Sequence, residues 1–525
     1  MSRLSNSFQR GSRPIRLITL PLLIGMAGCA SVPKDGGFAD VQQKISPRVA
    51  EKVHWIQGAP EDEAVAVEIA DLLAQPLTLS GAIQVALLNN PEMQATYERL
   101  GVAQADLVQA GLLENPVFTA SVRFPDHDRS GRESRTVTRE AGGGISLSRS
   151  TESATIRNNI EFSLVQNFLD LMTLPMRKQL AEAHFEQAKL ALSHDIVHFV
   201  GDVKMVYYDY VTAVQNASLL ETVTTATDAA AEFAVRQYEA GNLNRLEMSR
   251  ENGFHAQALL DSAQAELAVK VARERMNRIL GIWERSGEWH LAEERLAAPP
   301  AMNMSPTGLE SFAIANRFDL AASVKELETL VFGVKATRRW RWLGLLDLSV
   351  STERDGDGVY VTGPALELQL PLFDQGQTKI AIAESQLRAG SQRVSAQAID
   401  IRSETREAWE RFKTAQESVT YYERVLLPIH QTIVDEASLH YNAMLIGVYD
   451  LLMDKQKQID TARHYVEALH EYWLARNGLE LAVGGALPDE SLPEAPSDGM
   501  SEMTPPADET ALPMETDSPT AHTHH

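Results

Sequence analysis

Few residues in this chain are spaced for bond chemistry. His194 and His198 sit four apart with Asp202 on the same helical face, a spacing that can hold a metal ion. No clear third ligand accompanies the pair, and helix surface or inter-helix packing is the more ordinary role for such a spacing. His470-Glu471-Tyr472-Trp473 lacks the second His that a zinc-protease helix requires. Gly142-Gly143-Gly144 precedes a strand pattern rather than a helix, so it offers no phosphate-binding dipole. No Ser/His/Asp or paired-carboxylate arrangement stands out. The expectation is a protein that is not an enzyme and carries no cofactor.

Two other groups of residues have chemistry of a different kind. Cys29 is the chain's single cysteine, which excludes a disulfide framework and any Cys-based cluster. Before it, Arg3, Arg10, Arg13 and Arg16 precede the apolar run Leu17-Ile18-Thr19-Leu20-Pro21-Leu22-Leu23-Ile24, as in a secretory signal. Met26-Ala27-Gly28-Cys29 resembles a bacterial lipobox, with Met26 where Leu is commoner. On that likeness residues 1–28 are a lipoprotein signal peptide, Cys29 is lipidated, and Ala30 fits the pattern sorted to the outer membrane. At the other end, residues 486–525 hold seven Pro and nine Asp or Glu and no Lys or Arg, a composition for a disordered tail. Met514, His522, His524 and His525 lie in it. Thioether and imidazole suit copper or silver, and imidazole alone suits zinc or nickel. A solubilising tail with incidental His and Met explains the same residues.

Composition narrows the setting. Over 525 residues, 48 Lys+Arg stand against 71 Asp+Glu for a net charge of −23, which argues against a nucleic-acid partner. After the signal, no stretch reaches the roughly 18 apolar residues of a spanning helix. A membrane crossing would therefore have to use strands.

The chain reads as one unit written twice, over 77–285 and 308–485. YEAGNLNRLEMS from Tyr238 aligns without gaps with YNAMLIGVYDLL from Tyr441, setting Glu247 against Asp450. The same register matches Ala272-Arg273 to Ala475-Arg476 and Gly281 to Gly484, and further upstream Asn90-Pro91-Glu92 corresponds to Arg317-Phe318-Asp319. Within each copy apolar and polar residues first alternate, at Phe118, Ala120, Val122, Phe124 and at Ile156, Ile160, Phe162, Leu164. The second copy does so at Leu346, Leu348, Val350 and at Leu366, Leu368, Leu370. That period means strands with one apolar and one polar face. A parity slip at Gly363-Pro364 suggests a bulge, and 142–149 offers a short extra strand. Long Ala-, Gln-, Glu- and Leu-rich helices follow over 176–240 and 376–440, each about 90 Å if unbroken. Shorter helices return over 245–281 and 450–484, with turns at Gly241-Asn242 and Met444–Gly447. Residues 29–76 are expected to be an extended, lipid-anchored segment and 286–307 a linker.

Four strands cannot close a membrane barrel alone, because about eight is the minimum and lipid forbids open edges. Three copies would supply twelve. A soluble one-sided sheet, and with it a lipid-anchored helical scaffold without a pore, is the alternative of another class.

Taken together, these residues resemble the TolC-like outer-membrane efflux ducts. LTLSGAIQVALLNNPEMQA and AQADLVQAGLLENPVF resemble that family's first helix and entry to its first strand. LPLFDQGQTKIAIAESQ resembles its exit from the last strand, and the aligned Tyr238 and Tyr441 segments resemble its hairpin tips. The likeness spans about 77–485. It implies an α+β membrane protein: a homotrimer with a 12-stranded outer-membrane β-barrel continuous with a 12-helix periplasmic α-barrel. It further implies passive conduction, with a periplasmic adaptor and an inner-membrane pump of the resistance-nodulation-division type as partners. The adaptor would dock on the tips at Gly241, Asn242, Met444 and Gly447. Asp450 matches the family's first acid at the periplasmic entrance. The next falls at Met453 with Asp454 adjacent, and Glu247 is the equivalent in the first copy. Met444 replaces the tip Gly found at Gly241, so the second turn is expected to differ in conformation. The whole chain also resembles ducts of heavy-metal efflux, making metal cations the favoured cargo, with drugs or other organic compounds as the alternative.

Overall fold

The computed structural model describes residues 32–33, 35–124, 133–139, 145–151, 158–283, 289–300, 305–341, 346–354 and 359–488. The chain divides into two units, residues 1–487 and 488–525, and every described helix and strand belongs to the first. Cys29, Met514, His522, His524, His525, the signal segment and Gly142-Gly143-Gly144 lie outside the described residues.

Residues 29–76 are not extended throughout. They contain α1 (Phe38–Ile45) and α2 (Glu61–Ala74). Phe38, Val41 and Ile45 recur at helical spacing and are all buried, because α1 lies on the long helix that follows the strands. There Lys189, itself buried, donates to Asp40 at 2.7 Å. Side chains set the next two helix starts. The Thr78 hydroxyl accepts from the Gly81 N–H at 3.1 Å and opens α3 (Leu79–Asn89). Asn90 accepts from the Glu92 and Met93 N–H groups at 2.8 and 3.0 Å and opens α4 (Pro91–Ala110), with Pro91 at the position where its missing N–H costs nothing.

The first strand group is β1 (Val117–Arg123), β2 (Glu133–Arg139), β3 (Ile145–Thr151) and β4 (Asn159–Asn167), with β2 and β3 forming a hairpin of their own. Then comes α5 (Phe168–Glu239), 72 residues and about 110 Å long. It begins ahead of the expected 176 and runs through Pro175, because Asn167 caps it by accepting from the Asp170 N–H at 3.2 Å. It turns back as α6 (Arg245–Ile279). The succession recurs as α7 (Leu309–Asn316), α8 (Phe318–Trp340), β5 (Leu346–Arg354), β6 (Tyr360–Leu368), α9 (Gln377–Tyr421), α10 (Leu427–Asn442) and α11 (Val448–Ala482). The helix expected over 376–440 is not uniform: a π-helical turn, Tyr422–Leu426, separates α9 from α10. Pro428 follows at the start of α10 and has no N–H to give the preceding turn.

The four-stranded sheet has the order β1-β4-β5-β6, all antiparallel. The β5–β6 register runs unbroken from Leu346↔Leu368 to Arg354↔Tyr360, so there is no bulge at Gly363-Pro364. The parity change marks an exchange of residue type along a regular strand, and Pro364 is tolerated because β6 is an edge. Paired residues share a face. Phe118, Leu164 and Val350 lie on one, with Phe162, Leu348, Leu366 and Leu368, while Ser163, Ser351, Glu161 and Glu353 lie on the other.

A core joins α1, α3, α4 and α7 to the middle of α5, α9 and α11, centred on Tyr97, Trp289, Phe412 and Tyr472. From the expected linker, Trp289 and Leu296 belong to it, with Leu291 packed against it. The Trp289 indole donates to Asn277 Oδ1 at 2.9 Å beneath the Arg273 guanidinium, and Leu77 bridges Leu291.

Candidate functional site at the hairpin tips

The two tips are built by the same hydrogen bonds. At the end of α5 the Ala240, Gly241 and Asn242 N–H groups donate to Arg236, Tyr238 and Gln237 carbonyls at 3.1, 3.0 and 2.9 Å. At the end of α10 the Ala443, Met444 and Leu445 N–H groups donate to Leu439, Tyr441 and His440 at 3.0, 2.9 and 2.9 Å. This is the closing pattern that calls for one left-handed residue. Gly241 supplies it at φ 74° and Met444 at φ 57°. The expected difference in conformation is thus absent. The second turn keeps the backbone and carries the strain.

The acids open the returning helices. Asn244 caps α6 by accepting from the Glu247 N–H at 2.9 Å. Gly447 has no side chain with which to cap α11. Asp450 replaces that function from three residues on, its carboxylate accepting from the Gly447 N–H at 3.1 Å. Negative charge in a first turn also suits the helix dipole. Asp454 lies one turn further and pairs with Lys457 at 3.4 Å.

Glu247 and Asp450 line one cavity of about 520 Å³ between α5, α6 and α11, and Asp454 does not. Two residues that motif reading passes over line it too. Glu251, one turn after Glu247, is only 7% exposed. Burial pushes its carboxyl above the usual range. The Tyr449 hydroxyl is buried without a hydrogen-bond partner among the described residues, and burial together with the Glu251 and Glu247 carboxylates pushes its pKa up. The i, i+4 spacing of Glu247 and Glu251 was the available signal. It says only that both share a helix face.

Elsewhere, the His194 and His198 rings pack 4.2 Å apart at their centroids. Burial and the neighbouring His198 lower the His194 pKa. His470 bonds Asp209 at 2.8 Å. Among the described residues no group of three or more His, Cys, Asp or Glu is arranged to hold a metal ion, and no helix is long and apolar enough to cross a membrane.

The described residues thus join a two-faced sheet to long antiparallel hairpins with acids in the first turns of the returning helices. Residues 82–282 match the family model of the outer membrane efflux proteins. The chain is similar to the cobalt-zinc-cadmium resistance protein CzcC of Cupriavidus metallidurans, 22% identical over 418 residues, covering 78% of this chain and 91% of that one. Among solved structures, the Campylobacter jejuni outer membrane channel CmeC shares its fold at 15% identity and a TM-score of 0.61, covering 78% of this chain and 85% of that chain. CusC, described with transmembrane channel formation, does so at 14% identity and a TM-score of 0.59, covering 78% and 92%.

Proposed function

We propose that this chain is an outer membrane efflux protein that works as a homotrimeric duct, lipid-anchored at Cys29, with heavy-metal cations as cargo. One observation supports the trimer most. The apolar face of the β1-β4-β5-β6 sheet is open, with Phe118 at 66% and Leu366 at 65% exposed. Among the described residues, the outer edges of β1 and β6 pair with no further strand. A sheet in water would hide that face, and a sheet in lipid cannot leave such edges open. Three copies joined β6 to β1 satisfy both demands with twelve strands, lipid outside and the Ser163, Ser351 and Glu353 face inside. The long hairpins then continue the pore into the periplasm. Three-fold symmetry gathers Glu247, Asp450 and Asp454 near its entrance, where they favour cations. Gly241, Asn242, Met444 and Gly447 form the adaptor-docking tips, and an inner-membrane pump of the resistance-nodulation-division type supplies the energy.

The metal cargo rests on the similarity to CzcC, a cobalt-zinc-cadmium resistance protein, and on the imidazole and thioether ligands of the tail. The test is survival of a strain lacking this gene on copper, silver, zinc, cobalt and cadmium salts, alongside dyes and antibiotics. Complementation uses the full chain and a chain ending at Pro488. Sensitivity confined to one or two metals supports the metal duct, and failure of the short chain gives the tail a part in it. Sensitivity to organic compounds alone overturns the metal assignment.

A further inference from the structure

We propose that the cavity between the two hairpins binds an organic cation, its ammonium group seated against the Glu251 carboxylate and its apolar body lying along α5 and α6. Glu251 is 7% exposed and makes no hydrogen bond or ion pair among the described residues. The Tyr449 hydroxyl, in the same cavity, is buried without a hydrogen-bond partner among them. An acceptor-only carboxylate and a hydroxyl able to accept, both left without partners in one cavity, can share a donor between them, and an ammonium group brings three N–H donors.

The sign and shape of the occupant follow from the walls. Five carboxylates and three cationic side chains line the cavity. Among the described residues none of those cations forms an ion pair or hydrogen bond with Glu251, whose burial raises its pKa. An incoming ammonium would. Between the acids the wall is apolar, formed by Val223, Ala226, Ala230, Phe254 and Ala258 with Met453 opposite. A volume near 520 Å³ falls in the range of small-molecule sites, about 300 to 1,000 Å³. A bare metal ion would leave most of that space empty, and among the described residues no three ligands converge here to hold one. The occupant is therefore distinct from the proposed cargo, and the site stands whether or not that cargo is metal. Because α6 belongs to one hairpin and α11 to the other, a molecule seated here would act as a wedge between the tips.

The test is isothermal titration of the full chain, purified in detergent, with 3-phenylpropylamine and with its neutral analogue 3-phenylpropanol. The amine is expected to bind once per chain and at least tenfold more tightly than the alcohol. Glu251→Gln, with the side-chain shape kept, should weaken the amine at least tenfold and abolish its advantage over the alcohol. Equal amine affinity in wild type and Glu251→Gln, equal affinity for amine and alcohol, or no binding up to the solubility of the amine would each overturn the site. Should Glu251→Gln fail to assemble, Ala230→Trp fills the cavity and leaves the carboxylate in place. Loss of amine binding there supports the site, and unchanged binding sinks it. Metal survival is not read in this measurement, so the two ideas fail separately.

Discussion

Met444 holds at φ 57° the left-handed backbone that Gly241 holds at φ 74° in the matching turn. It is 93% exposed, so no buried contact accounts for it. The hydrogen-bond pattern of the helix end imposes the conformation, and an L side chain there costs about 1–2 kcal/mol.

Met444→Gly should therefore tighten the second tip by up to about 1 kcal/mol, the relief being partly offset by the entropy of glycine in the unfolded chain. Hydrogen exchange of the Leu445 amide, which donates to the His440 carbonyl, is the direct readout. Faster exchange in the variant would contradict this account of the turn.

One pair of variants separates the helix cap that Asp450 makes from the entrance charge proposed for it. Asp450→Asn keeps an acceptor for the Gly447 N–H while removing the charge. It should lower the cation selectivity of the reconstituted pore with little change in melting temperature. Asp450→Ala removes both and should in addition fray the start of α11 by about 1 kcal/mol. A selectivity unchanged in both would take Asp450 off the conduction path and leave it a helix cap.

Glu251 sets a pH dependence of known sign. Its folded pKa lies above the ordinary value, so the folded chain holds the proton more tightly than the unfolded chain does. Tip stability accordingly falls as pH rises from the usual glutamate range, and it levels off once the raised value is passed. Glu247 lies one turn before Glu251 on α6, Asp450 and Tyr449 line the cavity from α11, and Asp261, Asp460, Arg250, Lys455 and Arg463 are also on its walls. Glu251→Gln should flatten the pH profile of tip hydrogen exchange and protect the tip at high pH. An unchanged profile would assign the titration to another of these groups.

Gly281 and Gly253 differ in what a methyl group would meet. At Gly281, φ is 73° and a Cβ would stand 2.6 Å from the Asn89 carbonyl oxygen. At Gly253, inside α6, nothing lies within 4 Å. Gly281→Ala should destabilise the chain by roughly 1–3 kcal/mol from the backbone alone, and by more with the clash. Gly253→Ala should stabilise by up to about 1 kcal/mol. Thermal melts of the two variants, side by side, decide it.

The sheet faces can be told apart by charge. Leu366→Arg places a cation on the proposed lipid face and should cost about 2–4 kcal/mol near the membrane midplane, depleting the protein from outer-membrane fractions. Ser351→Asp, on the opposite face, should leave insertion intact. Equal tolerance of both would favour the scaffold without a pore.

The strands, the hairpins and the places of Glu247 and Asp450 were legible in the amino-acid sequence because each is a local pattern. Alternation of Leu346, Leu348 and Val350 specifies a two-faced strand wherever it lies, and the Tyr238 and Tyr441 segments align because each must make the same turn. What local patterns cannot carry is which segments meet. Phe38, Val41 and Ile45 have helical spacing, yet only contact with α5 gives them something to bury against. Residues 289–296 read as a connection because nothing nearby in sequence shows that Trp289 will sit between Asn277 and Arg273. Glu251 reads as a solvated acid on α6. Its burial, and its lack of a partner among the described residues, belong to the cavity that α5, α6 and α11 form together. Burial and the shift in acidity that follows from it depend on the approach of distant segments, and that was decided by the tertiary structure alone.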